Sequence, residues 1–197
     1  MLYNKFMRKI IVGITGASGA ILGIRMLEVL QQCADVETHL IISKAGQITI
    51  AAETDYALED IKKLADHTHK FEDISACISS GSFCADGMII APCSIRTMSE
   101  IASGVTSSLM SRSADVMLKE RRKLVLMVRE TPLHALHLEN MAKLSNVGAI
   151  IYPPVLALYS RPQTIDELIN HTVGRVLDLF DIDANIVKRW QGLKVVN

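Results

Sequence analysis

Short, strongly apolar segments alternate with amphipathic segments along most of the chain. Runs rich in Ile, Val and Leu predict buried strands over residues 8–14, 37–43, 87–91, 123–128 and 148–152. Apolar residues that recur at helical spacing predict helices over residues 18–32, 45–52, 58–65, 94–102, 107–120, 133–144 and 164–180. Strands that are apolar on both faces are typical of a parallel sheet covered by helices on both sides.

This alternation predicts a single α/β domain built on a three-layer, doubly wound, Rossmann-like parallel sheet. We expect residues 7–180 to form its core and residues 181–197 to form a C-terminal tail. In folds of this kind, ligands bind beyond the carboxyl ends of the strands. The functional residues are therefore expected directly after each strand.

Composition narrows the possible partners. The 197-residue chain carries 21 basic and 21 acidic side chains, and this neutral balance argues against binding to nucleic acid or to a membrane surface. No apolar run approaches the roughly 18 residues that a membrane-spanning helix needs. Because hydrophobic residues still make up 49% of the chain, we expect part of the apolar surface to be buried in a homo-oligomer.

The chain start and the cysteines indicate a cytoplasmic protein. The first residues do not resemble a signal peptide, and the four cysteines show no CxxC spacing. Met7 stands directly before the first strand, so whether Met1–Phe6 belongs to the natural chain stays open.

The first strand leads into a glycine-rich loop, GITGASGA at 13–20. Glycines allow a tight turn, and the N-terminus of the following helix, expected at Ser18, favours a phosphate. The spacing is GxxGxxG, and the second strand ends in Ser43 and Lys44 where an NAD site has an acidic residue. The loop therefore favours a phosphate or mononucleotide over NAD, with a ligand-free turn as the alternative.

Two later strands also end in polar residues. Pro92 is expected to stop the third strand, and Ser94 and Thr97 then offer hydroxyl groups at a helix start, either for an anion or as an ordinary cap. Arg129 and Glu130 follow the fourth strand. With Lys119 from the preceding helix, Arg129 could form a cationic phosphate site.

The remaining candidates are isolated polar residues. Glu53 follows an apolar helix and could act as a general base or cap the next segment. Tyr159, Arg161 and Arg175 stand in apolar surroundings. The histidines are interpreted as surface or interface residues, with a metal site less favoured: His39, His67, His69, His134, His137 and His171.

Eight segments, in order along the chain, resemble the UbiX family of flavin prenyltransferases. They are GITGASGA (13–20), ISKAGQ (42–47), ETD (53–55), SSGSF (79–83), PCSIRT (92–97), RSADVMLKERR (112–122), VRETPLH (128–134) and YSRPQ (159–163). The resemblance implies a flavodoxin-like fold with FMN bound at the subunit contacts of a dodecamer. It also implies that the dimethylallyl group of dimethylallyl phosphate is joined to reduced FMN, and that a UbiD-type decarboxylase uses the prenylated FMN.

The same resemblance implies roles for individual residues. It implies FMN binding by Gly16, Ala17, Ser18, Ser43, Ser94, Ile95, Arg96, Thr97 and Arg129. It implies binding of dimethylallyl phosphate by Lys119, Arg129, Tyr159 and Arg175. It implies catalytic roles for Ser18, Glu53, Lys119 and Glu130, with either glutamate as the proton acceptor and with no metal.

Two alternatives stay open on the sequence. The first is an FMN-dependent decarboxylase of the cysteine-decarboxylase group, which uses a histidine base with no convincing counterpart here. The second is a non-catalytic subunit that carries flavin for a decarboxylase. The sequence also leaves open whether the prenylated FMN serves quinone biosynthesis or phenolic-acid degradation.

Overall fold

A computed structural model describes residues 7–192 and contains one parallel sheet within them. Its strands are β1 (Arg8–Ile14), β2 (Val36–Ile42), β3 (His67–His69), β4 (Gly87–Cys93), β5 (Lys123–Val128) and β6 (Ala149–Ile151). They lie in the order β3-β2-β1-β4-β5-β6, and each strand pairs in parallel with its neighbours. The predicted doubly wound parallel sheet is confirmed.

Helices cover both faces of this sheet. They are α1 (Ala20–Gln31), α2 (Lys44–Glu53), α3 (Leu58–Lys63), α4 (Ile95–Ala102), α5 (Leu109–Lys119), α6 (Ala135–Asn146) and α7 (Ile165–Asp178). Short 3-10 turns lie at Cys77–Ser79, Gly81–Phe83 and Leu158–Ser160.

Successive strand residues point to opposite faces and so build two hydrophobic cores. In β5, Val125 and Met127 join the core that contains α1 and α7. Leu124 and Leu126 of the same strand join the core that contains α4 and α5. This alternation explains why a strand buried on both faces gives a continuous apolar run in the sequence.

The structure corrects the prediction that Pro92 stops the third strand. Strand β4 continues through Pro92 to Cys93, and its pairing with β5 shifts in register between Ile90 and Cys93. A proline lacks the N–H group that a regular ladder needs, so it is tolerated where the pairing is irregular. The strand therefore ends two residues later than predicted.

The start of α1 and the presence of β3 also differ from the prediction. Helix α1 begins at Ala20 and not at Ser18, because Gly19 adopts a left-handed φ of 101° that a helix cannot include. Strand β3 was not predicted, because its three residues, His-Thr-His, carry no apolar pattern.

The described part of the C-terminal tail lies against α7. A Cβ atom on Gly174 would lie only 2.3 Å from Val187 Cγ2, so this helix face is in close contact with the tail. Ile182 is 3% exposed and belongs to one of the two cores.

The open question about Met1–Phe6 concerns residues outside the described range. Between residues 7 and 192, no helix is long and apolar enough to cross a membrane.

Candidate active site

The loops at the carboxyl ends of β1, β2 and β4 enclose a cavity of about 310 Å³. Its lining includes Gly16, Ser43, Ser94, Arg96 and Thr97 from the set predicted to bind a cofactor. The sheet order places β1 between β2 and β4, so three loops that are distant in sequence meet here. This is the edge where ligands of such folds bind.

Helix starts supply several of the polar groups of this cavity. The Ser43 hydroxyl accepts a hydrogen bond from Gly46 N at 3.0 Å and caps α2. The Ser94 hydroxyl accepts a hydrogen bond from Thr97 N at 3.3 Å and caps α4. Both serines are therefore helix caps that also line the cavity, and the prediction that Ser94 caps a helix is confirmed.

Close packing explains why the loop needs glycine at position 16. A Cβ atom on Gly16 would lie 2.4 Å from the Cβ atom of Ala45, far inside van der Waals contact. The absence of a side chain thus lets the loop after β1 lie directly against the first turn of α2.

Thr15 joins two of these loops and was missed by the sequence reasoning. Its buried hydroxyl donates to the carbonyl oxygen of Pro92 at 2.7 Å and accepts from Ser94 N at 2.8 Å. The signal in the sequence was a hydroxyl residue directly after a strand, inside the glycine-rich loop. Thr15 fixes the position of the α4 start relative to β1.

Glu53, the last residue of α2, contacts the start of a different helix. Its Oε2 atom accepts hydrogen bonds from Gly19 N at 2.8 Å and Ala20 N at 3.2 Å. Partial burial acts to raise the pKa of Glu53, but hydrogen bonds from Ser18 and these backbone groups, with the nearby charge of Arg129, lower it below its ordinary value. Glu53 is therefore an ionised carboxylate that caps α1 rather than the next segment.

A second, more apolar cavity of about 240 Å³ lies beside this carboxylate. Ser18, Gly19 and Arg129 line one side of it, and aliphatic residues of α7 and of the loop before α7, such as Leu168 and Leu156, line the other. The glycine-rich loop contributes to both cavities. A polar and an apolar compartment thus adjoin one loop.

Tyr159 and Arg175 lie apart from this cavity lining. The Tyr159 hydroxyl and His171 Nε2 are 3.1 Å apart, and the Tyr159 ring meets the Trp190 ring edge-on. Arg175 forms an ion pair with Asp178. Both predicted substrate residues therefore belong to the surface formed by α7 and the tail.

Glu130 and Lys119 have local partners of their own. Glu130 is exposed, and its carboxylate accepts a hydrogen bond from Thr131 N at 2.9 Å. Lys119 precedes β5, whereas Arg129 follows it, so the strand separates them by about 20 Å at about 3.3 Å per residue. Lys119 instead forms an ion pair with Glu120. One chain does not bring Lys119 and Arg129 together.

Burial decides how Cys93 and two of the histidines are interpreted. Burial raises the pKa of the Cys93 thiol to about 12, so this cysteine at the end of β4 stays protonated and is not a nucleophile. His39 and His171 are only 2% and 5% exposed, so the interpretation of all the histidines as surface or interface residues is wrong for these two. His39 also lies close to His67 and His69.

Comparison with known proteins identifies the family. The Flavoprotein family model matches residues 2–187. The flavin prenyltransferase UbiX of Escherichia coli K12 is 54% identical over 188 residues, which cover 94% of this chain and 100% of the relative. The chain belongs to the UbiX family of flavin prenyltransferases. The family predicted from the sequence is confirmed.

Two solved structures of UbiX-type proteins share the fold closely. AnUbiX (PadA1) in complex with FMN and dimethylallyl pyrophosphate has a TM-score of 0.93 and 51% identity, over 95% of this chain and 99% of that one. A dodecameric FMN-dependent UbiX-like decarboxylase from Escherichia coli O157:H7 has a TM-score of 0.92 and 49% identity, over 93% and 100% of the two chains.

Proposed function

We propose that this UbiX-family chain joins the dimethylallyl group of dimethylallyl phosphate to reduced FMN. The observation that carries the proposal is the pair of cavities that share the glycine-rich loop, one polar and one apolar. A flavin phosphate needs hydrogen-bond donors, whereas a dimethylallyl group needs an apolar surface. The similar AnUbiX structure contains FMN together with dimethylallyl pyrophosphate.

The polar cavity suits FMN. Free N–H groups at the starts of α2 and α4 offer donors for a phosphate. We assign FMN binding to Gly16, Ala17, Ser18, Ser43, Ser94, Ile95, Arg96, Thr97 and Arg129. Arg96 is exposed and paired with Glu100 at 3.0 Å.

The reaction develops negative charge on the departing phosphate beside the apolar cavity, and this charge has to be stabilised. The allylic C–O bond breaks and its electron pair leaves with the phosphate as C1 bonds to flavin N5, which loses its proton. The alkene carbon C3 then bonds to flavin C6 while C2 gains a proton and C6 loses one, so one proton is released overall and the phosphate leaves. Fixed cations stabilise the departing phosphate, and we assign this role to Arg129, which lines the cavity, and to Lys119, Tyr159 and Arg175 supplied by other copies of the chain, with the tyrosine as a hydrogen-bond donor.

Glu53 is our proposed proton acceptor, ahead of Glu130. It is ionised, it contacts the loop that lines both cavities, and Ser18 hydrogen-bonds to it. Glu130 is exposed and directed to the backbone of Thr131. Exchanging Glu53→Gln would keep the shape of the cap while removing the base, and Lys63→Ala on the exposed face of α3 provides a control substitution.

A mass measurement tests the proposal directly. Purified protein is incubated without oxygen with reduced FMN and dimethylallyl phosphate, and the flavin is analysed by mass spectrometry. A flavin heavier by one prenyl unit is expected from the unchanged chain and from Lys63→Ala, and unaltered FMN from Glu53→Gln. Recovery of unaltered FMN from the unchanged chain would refute the activity.

The same preparation separates this function from the two alternatives. A decarboxylase would release CO₂ from an aromatic or peptide substrate without a partner protein. A decarboxylase that relied on a flavin carrier would be active only in the presence of the carrier protein itself. We instead expect a UbiD-type decarboxylase to become active when it receives the small-molecule extract of the reaction with this chain removed.

We also propose that the chain works as a cytoplasmic homododecamer. The dodecameric UbiX-like decarboxylase of Escherichia coli O157:H7 supports this assembly. The separation of Lys119 from Arg129 in one chain is a second support, because another copy could supply the missing lysine. Cys77, Cys84 and Cys93 are free thiols, which agrees with a reducing compartment.

A further inference from the structure

Three histidines converge at the edge of the sheet opposite to β6, away from both cavities at the glycine-rich loop. The parallel register sets His39 of β2 beside His67 of β3, and His69 follows on the same face. The His39 ring stacks on the rings of His67 and His69 at centroid distances of 4.7 and 5.2 Å. Phe83 meets the His39 ring edge-on at 4.9 Å.

Both nitrogens of the buried His39 ring have close polar neighbours. Nε2 lies 2.9 Å from Glu37 Oε1, and Nδ1 lies 2.9 Å from His69 Nε2. A carboxylate oxygen is the acceptor in this contact, so Nε2 of His39 carries a proton and, in the neutral ring, Nδ1 presents a lone pair towards His69.

A cysteine completes this arrangement. The Sγ atom of Cys77, His39 Nδ1 and His69 Nε2 all lie within 4.8 Å of one another. The turn that carries Cys77 is held in place by Ile78, which is 1% exposed, and by a hydrogen bond from Arg112 to Ser79 O at 3.1 Å. Three potential ligand atoms from three separate segments of the chain therefore lie close together.

We propose that His39, His69 and Cys77 bind one Zn²⁺ ion, with water as the fourth ligand. Tetrahedral zinc with bonds of about 2.0 Å to nitrogen and 2.3 Å to sulfur separates its ligands by about 3.3 to 3.6 Å. The two histidine nitrogens, 2.9 Å apart, therefore need to part by about 0.4 Å. The other distances lie within reach of side-chain rotation, since no pair exceeds 4.8 Å.

The surroundings suit a dication. Glu37 accepts a hydrogen bond from Nε2 of His39, the ring nitrogen that would not bind zinc. A carboxylate in this position is the usual outer partner of a zinc-bound imidazole. The negative charge of Asp73 also acts on His69. A second trio, Glu37, His39 and His67, has a similar spread but offers no thiolate, so zinc favours the trio with Cys77.

The bound ion would fasten a segment that reaches the polar cavity. Phe71 and Glu72, two and three residues after His69, line the cavity that we assign to FMN. The ion would hold β2, the end of β3 and the turn at Cys77 together, and Zn²⁺ would stabilise the folded chain because the three ligands are assembled only in that state.

Titration of the full-length, chelator-treated protein with Zn²⁺ tests the proposal by calorimetry. We expect one equivalent per chain. Cys77→Ser should weaken binding at least about tenfold, and Glu37→Gln by about tenfold, the usual loss for an outer partner. Cys84→Ser, which changes another exposed free cysteine, and His67→Ala should bind as tightly as the unchanged chain.

Cobalt provides a second readout that depends on the thiolate. Co²⁺ should give a thiolate-to-metal absorption band in the unchanged chain, and this band should be absent in Cys77→Ser and present in Cys84→Ser. Circular dichroism confirms that each variant is folded. No stoichiometric binding, unchanged affinity in Cys77→Ser, or loss of binding in His67→Ala would each overturn the proposed site. None of these readouts depends on prenyltransferase activity.

Discussion

Mixed assemblies of two inactive variants test whether the active site draws on two copies of the chain. Strand β5 places Lys119 and Arg129 about 20 Å apart at about 3.3 Å per residue, and a lysine side chain does not cover that distance. If a site combines Glu53 of one copy with Lys119 of another, both Lys119→Ala and Glu53→Gln are inactive alone. Each nevertheless retains the group that the other lacks.

The expected yield follows from the composition of the assembly. In an equal, random mixture, half of the sites have an intact Glu53, and half of those receive an intact Lys119 from the neighbouring copy. About a quarter of the sites should therefore recover activity in a closed assembly with heterologous contacts. If one chain supplied both groups, none would recover.

The assay uses co-expressed variants with different affinity tags, and assemblies that carry both tags are purified before the prenylated flavin is measured. Assemblies of each variant alone set the background. Mixtures of each variant with Lys63→Ala show that the tags do not affect the yield. Double-tagged assemblies no more active than the single variants would refute the argument that the site spans two copies.

Four further predictions concern interactions within a single chain. Gly16→Ala should weaken FMN binding, measured by flavin fluorescence, and cost about 1–3 kcal/mol in the free energy of unfolding because its Cβ atom would meet Ala45; unchanged values would contradict the packing. Thr15→Val should cost about 1–3 kcal/mol in urea unfolding, since it leaves a backbone N–H without its acceptor, and a neutral result would show that these hydrogen bonds do not stabilise the loop. The lowered pKa of Glu53 stabilises the fold above its ordinary value of 4.5, and this contribution is lost as the pH falls through the lower folded-state pKa; the advantage over Glu53→Gln should shrink there, and a constant difference would contradict the shift. Thiol reagents at neutral pH should label the exposed cysteines but spare Cys93, whose pKa is raised to about 12, and rapid labelling of Cys93 in the folded chain would contradict its burial.

The order of strands and helices was predictable because each signal is local. Strands such as β1 and β5 are buried on both faces, so every residue contributes to the pattern. Strand β3 was not predictable in this way, because it is short and polar and is defined by its pairing with β2. The start of α1 depended on the backbone conformation of Gly19, which the residue type permits but does not dictate.

The contents of the site were predictable in part for a similar reason. The sheet topology brings Gly16, Ser43 and Ser94 to one edge, and the rule that ligands bind there needs only the order of elements. The cap that Glu53 provides for α1 depends on the packing of two helices, and no spacing in the sequence reports it. The meeting of His39 and His69 depends on strand register, which sequence periodicity does not specify.

The irregular end of β4 affects how much entropy ligand binding costs. The carbonyl oxygen of Pro92 accepts two hydrogen bonds from Thr15, one from its hydroxyl at 2.7 Å and one from its backbone N–H at 3.3 Å. The loops after β1 and β4 are therefore tied to each other before any ligand arrives. A ligand that contacts both loops does not have to order them separately, so more of its contact energy remains available as affinity.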